Sequence, residues 1–180
     1  MPDNFTNNGA VRVLLNKVDD SSTEQYTSAA GFEDETWAKV MRIQPHGFSS
    51  HPVKDSHALG VAIGGRRDML LLLGGEHPDH RPKNLDPGDV KLYNSTSGTS
   101  VHLKGADVAV AASGKMDVTV PTITHTASSI TFKCGGTTVV IDAGGVTVTG
   151  GKVKHDGKNI GSTHRHTDVL SGPGNTGLPV

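Results

Sequence analysis

Cysteine is nearly absent. Cys134 stands alone among 180 residues, so no disulfide can form within the chain and the fold must hold without covalent staples. A lone cysteine of this kind reads as a buried small hydrophobe. Aromatic residues are scarce too, at 4%, and hydrophobic residues together reach only 34%, little for a chain that must fill one large core by itself. No sign of charge is in excess: the formal net charge is -1, and the basic residues are scattered, with only Arg66 and Arg67 adjacent. Disorder usually combines low hydrophobicity with high net charge, and nucleic-acid binding calls for a basic face, so this balance argues against both. Long apolar runs are missing. The longest, Met69 to Leu73, is far too short to cross a bilayer, and Met1 to Ala10 has no basic segment followed by an apolar one, so no secretory signal is expected. The expectation is synthesis in a cytoplasm as a soluble chain that meets any membrane from outside.

Glycine is plentiful, with 23 residues, and it punctuates short extended stretches. Val11, Val13 and Leu15 alternate with Arg12 and Leu14, Asp19 to Ser22 is a turn cluster, and Gln25 to Ala30 is a second extended stretch ending at Gly31. Trp37, Val40, Met41 and Ile43 fit a strand or a short helix, stopped by Pro45. A loop follows from Gln44 to Pro52. Leu59 to Gly65 and Asp68 to Gly75 then form a hairpin around Gly64, Gly65, Arg66 and Arg67, with Leu70 to Leu73 as a buried strand. Short strands, glycine turns and no long amphipathic helix predict a small closed barrel of the OB type. His77 to Asp86 reads as a polar connector. Val90 and Leu92, then Val101 and Leu103, form a hairpin that closes the barrel or leads out of it.

The composition changes at Gly105. From Asp107 to Cys134 the even positions, among them Val108, Val110, Met116, Val118, Val120, Ile130 and Phe132, are apolar or small, while the odd positions are largely polar. No α-helix has that period. Glycine pairs follow at Gly135 and Gly136, Gly144 and Gly145, and Gly150 and Gly151, as in a solenoid or an intertwined β prism. A stripe so narrow cannot be buried by one chain. Three chains wound together can bury it, because valine, threonine and serine let backbones approach closely.

His164 and His166 flank Arg165 near the end of the chain. On an extended backbone, residues two apart turn to the same side, so one chain presents two imidazoles and no acidic or cysteine partner lies close in sequence. Two nitrogens hold a metal poorly. On a threefold axis three copies supply six, which suits an octahedral transition-metal ion, with nickel, zinc and iron all compatible.

These stretches carry a resemblance. The loop Pro45-His-Gly-Phe-Ser-Ser-His-Pro52, the alternating segment Asp107 to Val153, the run Asp156-Gly-Lys-Asn-Ile-Gly-Ser-Thr-His-Arg-His-Thr167 and the tail Gly174-Asn-Thr-Gly-Leu-Pro179 make the chain similar to the central spikes of contractile phage tails, the baseplate assembly protein V family, nearest to its phage Mu branch. The resemblance implies an all-β homotrimer. An OB-type domain over 1–104 would attach to a baseplate hub protein, a triple-stranded β-helix would form the stem over 105–163, and 164–180 would form an apex where His164 and His166 bind an iron ion shared by three chains. It also implies a virion protein at the tip of the tail baseplate that perforates the host outer membrane by force. No enzymatic activity is expected: acidic residues show no acid and base pairing, no nucleophile triad stands out, and no lysozyme-like domain is present.

The main rival is a trimeric tail-fibre or adhesin tip that binds a surface glycan. It would need an aromatic distal surface, whereas Trp37, Tyr26 and Tyr93 all precede Gly105. A metalloenzyme built on the histidine pair would need a third ligand and a pocket. Of the other histidines, His77 and His80 form a weak metal pattern, His46 and His51 read as loop hydrogen-bonders, and His125 lies on the polar face of the stem.

Overall fold

Alternation becomes a ladder only where a second strand is within reach, and that decides which parts of the sequence pattern become sheet. The computed structural model describes residues 9–165 and 172. The chain divides into two compact units, Met1–Asp117 and Val118–Val180. Strand β1 (Ala10–Asp19) turns Val13 and Leu15 inward and Arg12 and Leu14 outward, as the alternation predicts. It is long enough to serve two neighbours. Its first part pairs with β4 (Ser56–Ala62) and its second with β2 (Tyr26–Ala30), and a bulge between Leu15 and Lys17 bends it from one to the other.

β3 (Thr36–Ile43) pairs antiparallel with β2 and parallel with β5 (Leu70–Glu76), which pairs antiparallel with β4, closing a five-stranded barrel in the order β1-β2-β3-β5-β4. The closed barrel expected from the first half of the sequence is therefore present. The stretch around Trp37 is strand rather than helix. Between β4 and β5 the chain turns through a 3-10 turn, Ile63–Gly65, with Gly64 and Gly65 both at positive φ. Leu70 and Leu72 are buried, but Leu73 is exposed, so only one phase of the leucine run is core.

The core is thin. Val13, Leu15, Val40, Leu70 and Leu72 are buried together with Ala29, Ala58 and Ala62, and Val11 and Trp37 cover the edge. Each fully buried leucine contributes about 1.5–3 kcal/mol, so three alanines in a core of this size leave the barrel dependent on its polar ties as well.

The hairpin after the connector leads out of the barrel. β6 (Val90–Tyr93), β7 (Ser100–Lys104) and β8 (Asp107–Ala111) form a separate antiparallel meander. In the second unit β9 (Ser129–Cys134), β10 (Thr137–Asp142) and β11 (Gly145–Thr149) form another, and β12 (Lys154–His155) and β13 (Lys158–Asn159) a short hairpin. The unbroken alternation from Asp107 to Cys134 does not form one strand: residues 112–128 carry no strand between β8 and β9. An extended segment without a hydrogen-bonding neighbour is not a ladder, whatever its side-chain pattern. Cys134 corrects the expectation too. It is exposed, at the end of β9, in the line of Ile130 and Phe132.

Candidate functional site

The histidine site is prepared by a tight hairpin. Asp156 and Gly157 occupy the left-handed region (φ 44 and 78), the conformation of a two-residue type I′ turn, for which Asp-Gly is a preferred pair. The Ile160 N–H donates to the Val153 carbonyl at 2.9 Å and extends the pairing by one step. Asn159 then folds the chain back: its Oδ1 accepts from the Gly161 N–H at 3.1 Å and its Nδ2 donates to Thr163 Oγ1 at 2.9 Å. His164 follows. Its N–H donates to the Gly161 carbonyl at 3.0 Å, and its Nδ1 lies 2.7 Å from the same oxygen. A carbonyl can only accept, so Nδ1 is the donor of this bond. Metal-binding histidines are commonly oriented in this way, by a backbone carbonyl on the nitrogen that does not ligate. Arg165 is exposed. His166 and the tail Gly174 to Pro179 lie outside the described residues.

No cluster of three or more metal-ligating side chains occurs among the described residues. His77 and His80 stand edge to face with ring centroids 4.4 Å apart. His46 and His51 are exposed, and the hydrogen bonds of their loop come from other residues. His125 is exposed. His102 has a role that its sequence context did not suggest: its Nε2 lies 3.1 Å from Asp89 Oδ2, while Asp89 Oδ1 accepts from the Gly105 N–H at 3.3 Å, which ties β6, β7 and the turn before β8 together.

The Pro45 to Pro52 loop is held by an arginine. Arg42, only 8% exposed, donates from Nε to the Gly74 carbonyl at 2.7 Å, from Nη1 to Gln25 Oε1 at 2.6 Å and the Ser50 carbonyl at 3.0 Å, and from Nη2 to Ser50 Oγ at 3.0 Å. Burial pulls its pKa below the ordinary guanidinium value, and the negative charge of Asp20 opposes that shift. Gln44 Oε1 accepts from the Ser50 N–H at 2.6 Å and fixes the loop from its other side. The signal was available: Arg42 shares the phase of the inward residue Val40. Gly75 belongs to the same cluster, at φ 124, and a Cβ there would lie 2.6 Å from Pro52 Cγ. Gly75→Ala is expected to destabilise the barrel by about 2 kcal/mol or more, and to open the 45–52 loop to protease. Urea unfolding and limited proteolysis read the two effects.

Two apolar faces stand without a partner among the described residues. In the first meander the register aligns Val90 with Leu103 and Val108, and Leu92 with Val101 and Val110, on one face, and all of them are exposed on the chain. In the second it aligns Phe132 with Val139 and Val148, and Ile130 with Ile141 and Val146, again on one face. Lys91, His102 and Ala109 lie on the opposite face of the first, and Thr131, Val140 and Thr147 on that of the second. The same six-residue apolar platform is thus built twice, and water covers much of both. Soluble monomers rarely carry such patches unless another surface covers them.

Residues 12–79, which span the barrel, match the family described as Bacteriophage Mu Gp45, N-terminal. The chain is 28% identical to the baseplate puncturing device gp45 of Escherichia phage Mu over 112 residues, 62% of this chain and 53% of that protein. The aligned region thus spans about half the length of the Mu protein. The chain is also 27% identical to the Mu-like prophage FluMu protein gp45 of Haemophilus influenzae over 165 residues, 90% of this chain and 88% of that one.

Proposed function

From its kinship with the Mu-like phage baseplate spikes, we propose that this chain is the central spike of a contractile tail, a homotrimer that perforates the outer membrane of its host by force. The observation that carries this reading is the pair of aliphatic platforms. Three copies turning these faces to a common axis would bury them in an intertwined β stem, with residues 112–128 finding strand neighbours on other copies. The OB-type barrel would mount the trimer on a baseplate hub protein, and the opposite end would lead into the membrane.

His164 and His166 of three copies would hold one transition-metal ion, iron in the family reading. The described half of this site suits the role, because the Gly161 carbonyl accepts from His164 Nδ1 and so orients the ring. The ion's chemistry there is structural: a cross-link among three chain ends. Strand ends are where a β structure frays first, and the apex of a driven spike bears the greatest load. Force, not turnover, is the output, and no catalysis is assigned to the chain. Elemental analysis of the purified assembly is expected to find one third of an ion per chain. His164→Ala with His166→Ala is expected to remove it and leave the native mass unchanged. A full equivalent per chain would count against a shared apex.

A further inference from the structure

The turn between β2 and β3 is built against local preference. Glu33 and Asp34 both lie in the left-handed region (φ 53 and 62), which glycine or asparagine normally fills in a turn of this kind. It is nevertheless well tied down. The Gly31 N–H donates to the Glu35 carbonyl at 2.7 Å and the Glu35 N–H to the Phe32 carbonyl at 3.3 Å. The Glu35 carboxylate is paired with Arg67, whose carbonyl accepts from Trp37 Nε1 at 2.8 Å. The result is a tied-down turn with Phe32 at its first corner, 76% exposed, followed by two carboxylates, Glu33 and Asp34, that enter no ion pair among the described residues. Strain that the surroundings hold in place marks a segment with a task.

At the other end of β3 lies a cleft of about 540 Å³, between the 44–52 loop, the end of β5 and strand β6. Phe48 and Tyr93 expose apolar surface into it, and Lys91 lines it together with His51, His77 and His80. Its one carboxylate, Glu76, is paired with Arg81 at 3.2 Å, whereas Lys91 is in no ion pair among the described residues. Turn and cleft are complementary in both respects: an exposed aromatic side chain for an apolar floor, and two carboxylates for the Lys91 ammonium. They also lie about 23 Å apart along β3, at ~3.3 Å per residue. A single chain therefore cannot join its own two halves, but copies in a ring can, each turn entering the next cleft.

We propose that the barrels of the assembly are locked head to tail in this way, with Phe32 of one copy seated in the cleft of the next and Glu33 and Asp34 facing Lys91. The contact rests on the trimer reading and adds to it a second, heterologous interface. The test is a cross-link. Phe32→Cys and Tyr93→Cys are introduced together into a Cys134→Ser chain, oxidised with diamide, and compared with each single variant. Covalent trimers at unchanged native mass, lost on reduction and absent from the singles, are the expected result. As a second readout that leaves the apolar contact alone, Glu33→Lys with Asp34→Lys is expected to lower the urea midpoint of trimer dissociation, and added Lys91→Glu to restore it. A trimer that neither cross-links nor responds to the charge exchange would overturn the contact and leave the spike reading intact. A chain that is monomeric throughout would overturn both.

Discussion

Arg42→Met is expected to destabilise the barrel by about 3 kcal/mol, enough to lower its melting temperature by about 15 °C for a domain of this size. Methionine fills much of the same volume, so loss of packing is the smaller part of the effect. The larger part is what the guanidinium leaves behind: the Gly74 and Ser50 carbonyls, Gln25 Oε1 and Ser50 Oγ all lose a charged donor in a poorly hydrated place. An acceptor stranded in this way costs about 1–3 kcal/mol, softened here by the contact Gln25 Nε2 still makes with the Ser50 carbonyl. Arg42→Lys retains the charge but not the fork, and should fall between the two. Circular dichroism melts of the three chains give the order directly. Equal stability of Arg42→Met and the parent would mean that the network is ornamental.

Val101→Asp and Ile141→Asp are each expected to abolish the assembly. Both residues sit on central strands, in the middle of the two aliphatic platforms. On a free monomer each is partly exposed and an aspartate would change stability by no more than about 0.5 kcal/mol. Inside a threefold interior the same change places three carboxylates around one axis with no counter-charge, a penalty of several kcal/mol per ion. Thr147→Asp, on the opposite face of β11, is the matched control and should leave the mass unchanged. Sedimentation of the three variants separates the faces.

Local pattern was legible and long-range pairing was not. The inward phase of β1 and the β4–β5 hairpin follow from alternation and from two glycines in a turn, both readable within ten residues or so. The parallel β3–β5 pairing joins segments separated by the whole 44–69 stretch, and nothing local announces it. A single arginine in a strand reads as an outward residue, although the phase Arg42 shares with Val40 turns it inward. The stem shows the converse. Its alternation runs without a break from Asp107, but a lone chain can pair only where it doubles back on itself, so strands appear at β8 and β9 and not between them. Of the histidine pair, the orientation of His164 depends on the Asp156–Gly157 turn and on Gly161, residues whose purpose shows only once the hairpin is formed.

On this account the two apolar platforms form the inside of an assembly. Native mass spectrometry of the purified chain tests it most directly. A single species at three times 18.8 kDa is the predicted result. A well-folded species at 18.8 kDa, stable on dilution and with its platforms in water, would contradict it.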